Sequence, residues 1–452
     1  VNKTTPDRKR QSNAVTSSVV GTVLEWYDFY IYGTAATLVF GKLFFPDLSP
    51  VAGTIAAFAT YGIGFVFKPL GGVLLSRYGD TVGRKNMMLY SLVVMGLATG
   101  LIGLMPTYAQ IGIFAPIGLV LLRLVQSIGA GAEYGGAMTL VSEYSSQKRR
   151  GLMSSLPVMG VSLGILLGTG IFALMSMLPE GDFESWGWRI PFLLGFSLVG
   201  VGIYIRLKVD ETPAFEALRS ENKISRSPLK LMWSTQRRNL LIAAGARSAD
   251  AVGSQLFNVF AIVYCTTHLG LPPYVGLTGV MAANLIGLLV IPSAGMLSDR
   301  WGRRPVFLGG LVFLALFTFP FFWMLETRSF PMIVIALVLA YGFGLKTIVS
   351  ASGAYFAELF DTRVRTSAIS AARNVSDPLS GFTPLIATSL LAAAGSYWAV
   401  AVFFLVFVAL AIYCVYIGPE TKGTAFSEDE IDTTGNALVR REPRAAVSGG
   451  DK

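Results

Sequence analysis

The chain has 452 residues, of which 53% are hydrophobic and 14% charged, and its mean hydropathy is +0.59. Soluble domains carry roughly a quarter charged residues, so this composition excludes a water-facing enzyme and points to a membrane protein. The net charge of +9 would suggest nucleic acid on a soluble chain; here it is expected to report orientation in a bilayer.

Residues 1–13 are polar and basic (Lys3, Arg8, Lys9, Arg10), and 1–14 reads as a cytoplasmic N-terminal tail. The apolar run after them is too long for the core of a cleavable leader. A spanning helix needs about 20 mostly apolar residues. Twelve stretches qualify: 15–40, 54–76, 86–105, 111–143, 152–178, 188–207, 238–267, 275–297, 305–325, 331–358, 365–394 and 397–418. An all-α membrane protein with twelve transmembrane helices is therefore expected. The hydrophilic connection 208–237 separates two six-helix bundles, 15–207 and 238–418, and 419–452 reads as a disordered tail. With the N-terminus placed in the cytoplasm, 28 of the 36 Lys and Arg lie on that side; Lys42, Arg189 and Arg328 lie opposite. This asymmetry follows the positive-inside rule and predicts both termini cytoplasmic. Cys265 and Cys414 are far apart and His268 is the single histidine. That leaves no disulfide framework, metal-ligand spacing or catalytic triad, so no metal, cofactor or nucleic-acid partner is expected.

The two halves echo each other. Asp80-Thr-Val-Gly83-Arg84-Lys85 follows the second span and Asp299-Arg-Trp-Gly302-Arg303-Arg304 follows the eighth, 219 residues later. Glu143 and Glu358 each precede an arginine, Arg150 and Arg365, by seven residues. Internal duplication with a site between the repeats is a transporter architecture. The repeated acids and arginines are candidate ion pairs of a cytoplasmic gate, individually weak and effective as a set; the alternative is that they only enforce topology.

Several runs resemble a known family. The D-x-x-G-R-[KR] loops are similar to the signature of the major facilitator superfamily. Glu25-Trp-Tyr-Asp28-Phe within Gly21–Gly33, Trp186-Gly-Trp-Arg189-Ile-Pro-Phe192 and Glu211-Thr-Pro-Ala-Phe215 resemble its metabolite:proton symporter family, and the second half resembles the shikimate-permease branch. The chain departs from the pattern at Thr81, where the family carries arginine, and at Ser127, where it carries glycine; span 5 has Gly160, Gly164 and Gly168 but no Gly-Pro exporter pair, which favours uptake. The resemblance implies the major facilitator fold in a bacterial cytoplasmic membrane, alternating access, and uptake of a small organic acid with protons by a monomer. A carrier of a zwitterion such as proline or betaine is the rival, and a non-transporting sensor a more distant one.

Charges inside a bilayer cost a few kcal/mol each on insertion scales and mark functional paths. Glu25 and Asp28, three apart on span 1, share a helix face. By resemblance Asp28 is the protonation site and Arg123 in span 4 the cation that modulates it; the alternative is a static ion pair. Glu133, nearer the cytoplasm on span 4, is a further proton-coupling candidate and a partner for Lys68. Arg247 and Asp250 in span 7, and Arg373 and Asp377 in span 11, have self-neutralising spacings; Arg247 is the substrate candidate, while Arg373–Asp377 reads as a lock between helices. Lys346 has no acid within a helical turn, so a substrate carboxylate or Asp250 or Asp377 is expected to meet it. Trp26, Tyr27, Tyr30, Gln126, Gln255, Asn258 and Tyr355 complete a candidate polar cavity.

Overall fold

In hydrocarbon a backbone N–H or C=O cannot turn to water, and a helix pairs nearly all of them within its own segment. The computed structural model describes residues 8–82, 84–130, 149–207, 228–360 and 365–423. Among these residues are twelve long helices. They are α1 Arg8–Ala35, α2 Pro50–Val82, α3 Arg84–Leu104, α4 Phe114–Ala130, α5 Arg150–Met175, α6 Arg189–Leu207, α7 Pro228–Gln255, α8 Pro273–Trp301, α9 Arg303–Glu326, α10 Phe330–Leu359, α11 Arg365–Ala394 and α12 Trp398–Ile417.

Seven segments are long and apolar enough to cross a membrane by length and composition. The helices α1, α7 and α11 fall outside that set, and they carry Glu25 and Asp28, Arg247 and Asp250, and Arg373 and Asp377. The outer surface is apolar: Leu97, Leu101 and Leu104 on α3, Leu285 and Leu289 on α8, and Val402 and Val406 on α12 are exposed. In water such stripes would be liabilities; against lipid they cost nothing.

Small residues set the helix spacing. A Cβ at Gly160 would lie 2.6 Å from the Val19 carbonyl, and one at Gly164 2.5 Å from that of Val23, so α5 lies backbone-to-backbone on α1. The halves meet along two seams. On one, α5 crosses α8, with Gly151 and Gly295 so close that a Cβ at either would come within 3 Å of the other's carbonyl. On the other, α2 crosses α11, where Gly62 receives the Phe382 ring and Gly381 receives Phe65.

Wide π-helical turns interrupt the regular helices at Ala36–Phe40, Leu256–Phe260, Tyr264–His268 and Val338–Leu345. Such turns often mark functional positions, and two of them carry Asn258 and Tyr341. The helix α7 has a kink at Gln236, where φ is −132°. The α8–α9 turn is made at Gly302, whose φ of 113° favours glycine.

Candidate functional site

Three groups of polar residues succeed one another from the α8–α9 turn inward. At the turn, Asp299 lies four residues before Arg303, across Gly302, and accepts its Nη1 at 2.6 Å. The same carboxylate accepts the backbone N–H groups of Gly151 and Leu152 at 2.8 and 3.0 Å. It therefore caps the start of α5 in the other half, where free N–H groups and the helix dipole favour an anion. Glu358, at the end of α10, takes Arg303 Nε at 3.1 Å and Arg150 Nη1 at 3.2 Å. One buried carboxylate thus joins an arginine from each half. Glu358 was expected to pair with Arg365, whose side chain is not among those described; the partners it shows are Arg303 and Arg150. Only the backbone is described at Asp80, Arg84 and Arg365, and Glu143 lies outside the described residues.

Sequence reasoning missed two members of this cluster. Glu420 accepts the N–H groups of Arg303 and Arg304 at 3.0 and 3.1 Å, and Thr421 donates its hydroxyl to Glu358 at 3.0 Å. Both lie just beyond α12 in a stretch read as tail; an acid two residues after Gly418 was the available signal. Tyr355 also belongs here. Its ring packs on Phe307 and Phe356 and its hydroxyl occupies the space beside Gly418, so it is not a cavity residue, correcting the expectation above.

Deeper in, six charges form a ladder across four helices. Lys68 of α2 meets Glu25 of α1 at 2.6 Å, and Arg373 of α11 meets the same Glu25 oxygen at 3.6 Å. Asp377 receives Arg247 at 3.2 Å, Arg373 at 3.6 Å and Lys68 at 3.9 Å. Asp250 closes the far end, 3.6 Å from Arg247 and hydrogen-bonded by Ser254. Three cations and three anions cancel, which is what ions removed from water require. Pro378 follows Asp377 and cannot continue the backbone ladder of α11, loosening that helix beside the charges. Two expectations change here. The partner of Lys68 is Glu25, with Glu133 outside the described residues. Arg247 is neutralised by two aspartates and donates to Ser376 at 2.8 Å, so it is committed to the ladder instead of standing open to an anion.

The innermost group holds two cations in aromatic surroundings. Arg123 is wholly buried, its guanidinium 4.4 Å from the Tyr32 ring centre, 4.6 Å from Phe29 and 4.9 Å from Tyr61. It donates to Gln126 at 2.6 Å, and Gln126 in turn donates to Thr99. Asp28 of α1 supplies Coulombic attraction. Lys346 donates to the Tyr341 hydroxyl at 2.9 Å and lies 4.3 Å from that ring's centre. Among the described residues no carboxylate lies within ion-pair distance of Lys346; Asp250 acts on it from farther away, and Asp377 is engaged in the ladder.

Polar groups join these two cations. Tyr341 shares hydrogen bonds with Tyr30 and Asn258. Asn284 donates to Asn258 at 3.0 Å, and Tyr61 donates to Gln255 across the halves at 2.9 Å. Asn284, Tyr61 and Tyr341 went unremarked as polar contacts in the sequence, for nothing in their spacing sets them apart from packing residues. Tyr27 turns away, donating to the Pro191 carbonyl at 2.5 Å. Trp26 stacks on Tyr30 and carries Arg373 over its ring, 5.6 Å from the centre.

Comparison with known proteins agrees with this architecture. The Major Facilitator Superfamily profile matches residues 18–372 and 248–445. The shikimate transporter of Escherichia coli K12 is 36% identical over 401 residues, 88% of this chain and 92% of that protein. The proline/betaine transporter of Salmonella typhimurium LT2 is 35% identical over 399 residues, covering 85% of this chain and 79% of its own. The inner membrane metabolite transport protein YhjE of Escherichia coli K12 is 36% identical over 407 residues, 87% of this chain and 92% of that protein. Among solved structures, that of a D-xylose-proton symporter superposes with a TM-score of 0.70 at 18% identity, over 91% of this chain and 99% of that one. The chain therefore belongs to the major facilitator superfamily, as a multi-pass membrane transporter of metabolites and not an enzyme.

Proposed function

We propose that the protein imports a small organic anion, shikimate or a related carboxylate, together with protons, and that the α8–α9 turn faces the cytoplasm. The basic residues concentrated at that end support the orientation. One observation carries the choice of substrate class: the aromatic faces of the inner group are already covered by the protein's own cations. Arg123 lies over Phe29, Tyr32 and Tyr61, Lys346 over Tyr341, and Arg373 over Trp26. A betaine is recognised by open aromatic faces around its quaternary ammonium; here it would meet cations instead. A carboxylate would supply the close anion that Lys346 lacks among the described residues.

In this reading Lys346 receives the substrate carboxylate, and Tyr30, Tyr341, Gln255 and Asn258 hold its hydroxyl groups. Arg123 draws the anion inward and stabilises the ionised form of Asp28, the proton site. Loading Asp28 from outside and discharging it inside couples the proton gradient to accumulation. The Arg150–Glu358–Arg303–Asp299 gate must break for the substrate to leave toward the cytoplasm. Arg247, Asp250 and Tyr355 do not touch the substrate.

Purified protein in liposomes with an imposed inward proton gradient tests this. Shikimate, dicarboxylates and 2-oxoacids are compared with proline and betaine. Accumulation of an organic acid, abolished by a protonophore, is expected. Uptake of betaine or proline in preference to every acid would sink the substrate class, and uptake indifferent to the protonophore would sink the coupling.

A further inference from the structure

We infer that Glu25 is the acid through which a proton loosens the α2–α11 seam between the halves, a reading that rests on the proton coupling proposed above. Glu25 is the anion shared by Lys68, from its own half at 2.6 Å, and Arg373, from the other half at 3.6 Å. Asp28 lies one turn away on α1 and is coupled to Arg123 of α4, which stands in the same half. A proton exchanged at Glu25 alters the link between the two halves.

The groups facing Glu25 are Lys68 from α2, and Arg373 and Asp377 from α11. Beyond Asp377 stand Arg247 and Asp250 of α7, and on α1 itself the neighbouring acid is Asp28. With Glu25 ionised the ladder is neutral. A proton there leaves one net positive charge on these six groups, with Lys68 and Arg373 facing each other from opposite halves and Asp377 an anion that both still share. Their repulsion, in a medium of low dielectric, acts where Phe382 and Phe65 close the seam against Gly62 and Gly381. The ladder thus forms a second layer of closure, inside the arginine gate, and its release by a proton is the order of events that symport needs: load, then open inward.

The seam can be followed without substrate. Leu70 of α2 and Val375 of α11 are exposed on their helices, and both native cysteines are buried. Spin labels on Leu70→Cys and Val375→Cys report the spacing across the seam in liposomes. The spacing is expected to lengthen on acidification from neutral pH, and Glu25→Gln to hold the long spacing at both pH values. A pH-dependent shift that survives Glu25→Gln, or no shift in the parent protein, overturns the inference. A charge swap, Glu25→Lys with Lys68→Glu, separates this from a static strut. It restores the pair within the first half but sets a cation against Arg373, so the spacing should stay long; recovery of the parent's pH response would reduce Glu25 to a strut between α1 and α2. Failure of every organic acid to be transported would sink the substrate reading and leave these spacings interpretable.

Discussion

Arg150 of α5 and Glu358 of α10 meet at 3.2 Å across the seam between the halves. The same Glu358 also holds Arg303 of its own half, so one carboxylate keeps two guanidinium groups together that would otherwise repel. Glu358→Gln leaves both arginines without this anion. Breaking a buried pair costs about 3–5 kcal/mol, and the part of that loss carried by Arg150 falls on the closed arrangement, because only that contact crosses the seam. A cysteine at Ser155, buried where α5 meets α8, should react several-fold faster with a water-soluble maleimide in the Glu358→Gln background. Unchanged labelling would show that this cluster does not hold the end shut.

Lys346→Met carries two expectations of opposite sign. Removing a buried cation that has no carboxylate in contact should stabilise the fold by about 1 kcal/mol or more, raising Tm. The same change removes the proposed anchor of the substrate carboxylate. Hydrogen bonds to charged groups contribute about 1.5–3 kcal/mol, so affinity should fall tenfold or more. Thermal unfolding and ligand titration on one sample check both; a destabilised variant with normal affinity would mean that Lys346 is structural.

How far the site was legible differs residue by residue. Lys346 stood out because no acid lies within a helical turn of it on its own helix, a property of local spacing. Asp299 and Arg303 stood out because the repeat prints them twice. The pairing of Lys68 with Glu25 did not, because residues 43 apart on different helices meet only through the crossing of those helices. Arg247 looked open for the same reason: the Asp377 that neutralises it belongs to another helix. Tyr355 was misplaced by depth. It lies nine residues beyond Lys346, about 13 Å along a helix at 1.5 Å per residue, which carries it from the inner group to the gate. The helical architecture itself was readable from hydropathy, but the π turns that present Asn258 and Tyr341 leave no mark in a hydropathy profile.

Gly164→Ala tests the close contact that positions α1, which carries the proposed proton site. The new methyl would lie 2.5 Å from the Val23 carbonyl and 2.9 Å from the Tyr27 nitrogen, both backbone atoms that no side-chain rotation can move aside. Overpacking of this kind costs about 1–3 kcal/mol and displaces α1 beside Asp28. Lower Tm together with weakened proton-driven uptake is expected. Gly200→Ala is the control, since a Cβ there meets nothing within 4 Å; it should leave uptake unchanged and Tm equal or raised, alanine being the better helix former. Equal Tm for the two variants would show that α1 and α5 are not held at backbone contact.

Asp28→Asn separates coupling from recognition. The amide is nearly the same size, keeps a hydrogen-bonding oxygen beside Arg123, and cannot take up or release a proton. Arg123 itself remains surrounded by Phe29, Tyr32 and Tyr61 and bonded to Gln126, so the aromatic enclosure should stand. Accumulation driven by a pH gradient should therefore be lost, while exchange of labelled for unlabelled substrate at equal pH continues, because exchange needs the protein to reorient without net proton movement. In the parent protein accumulation should fall as external pH rises and Asp28 ceases to load; in the variant, exchange should be flat over the same range. Proton-driven accumulation intact in Asp28→Asn would assign the coupling to another acid, with Glu25 the first to examine.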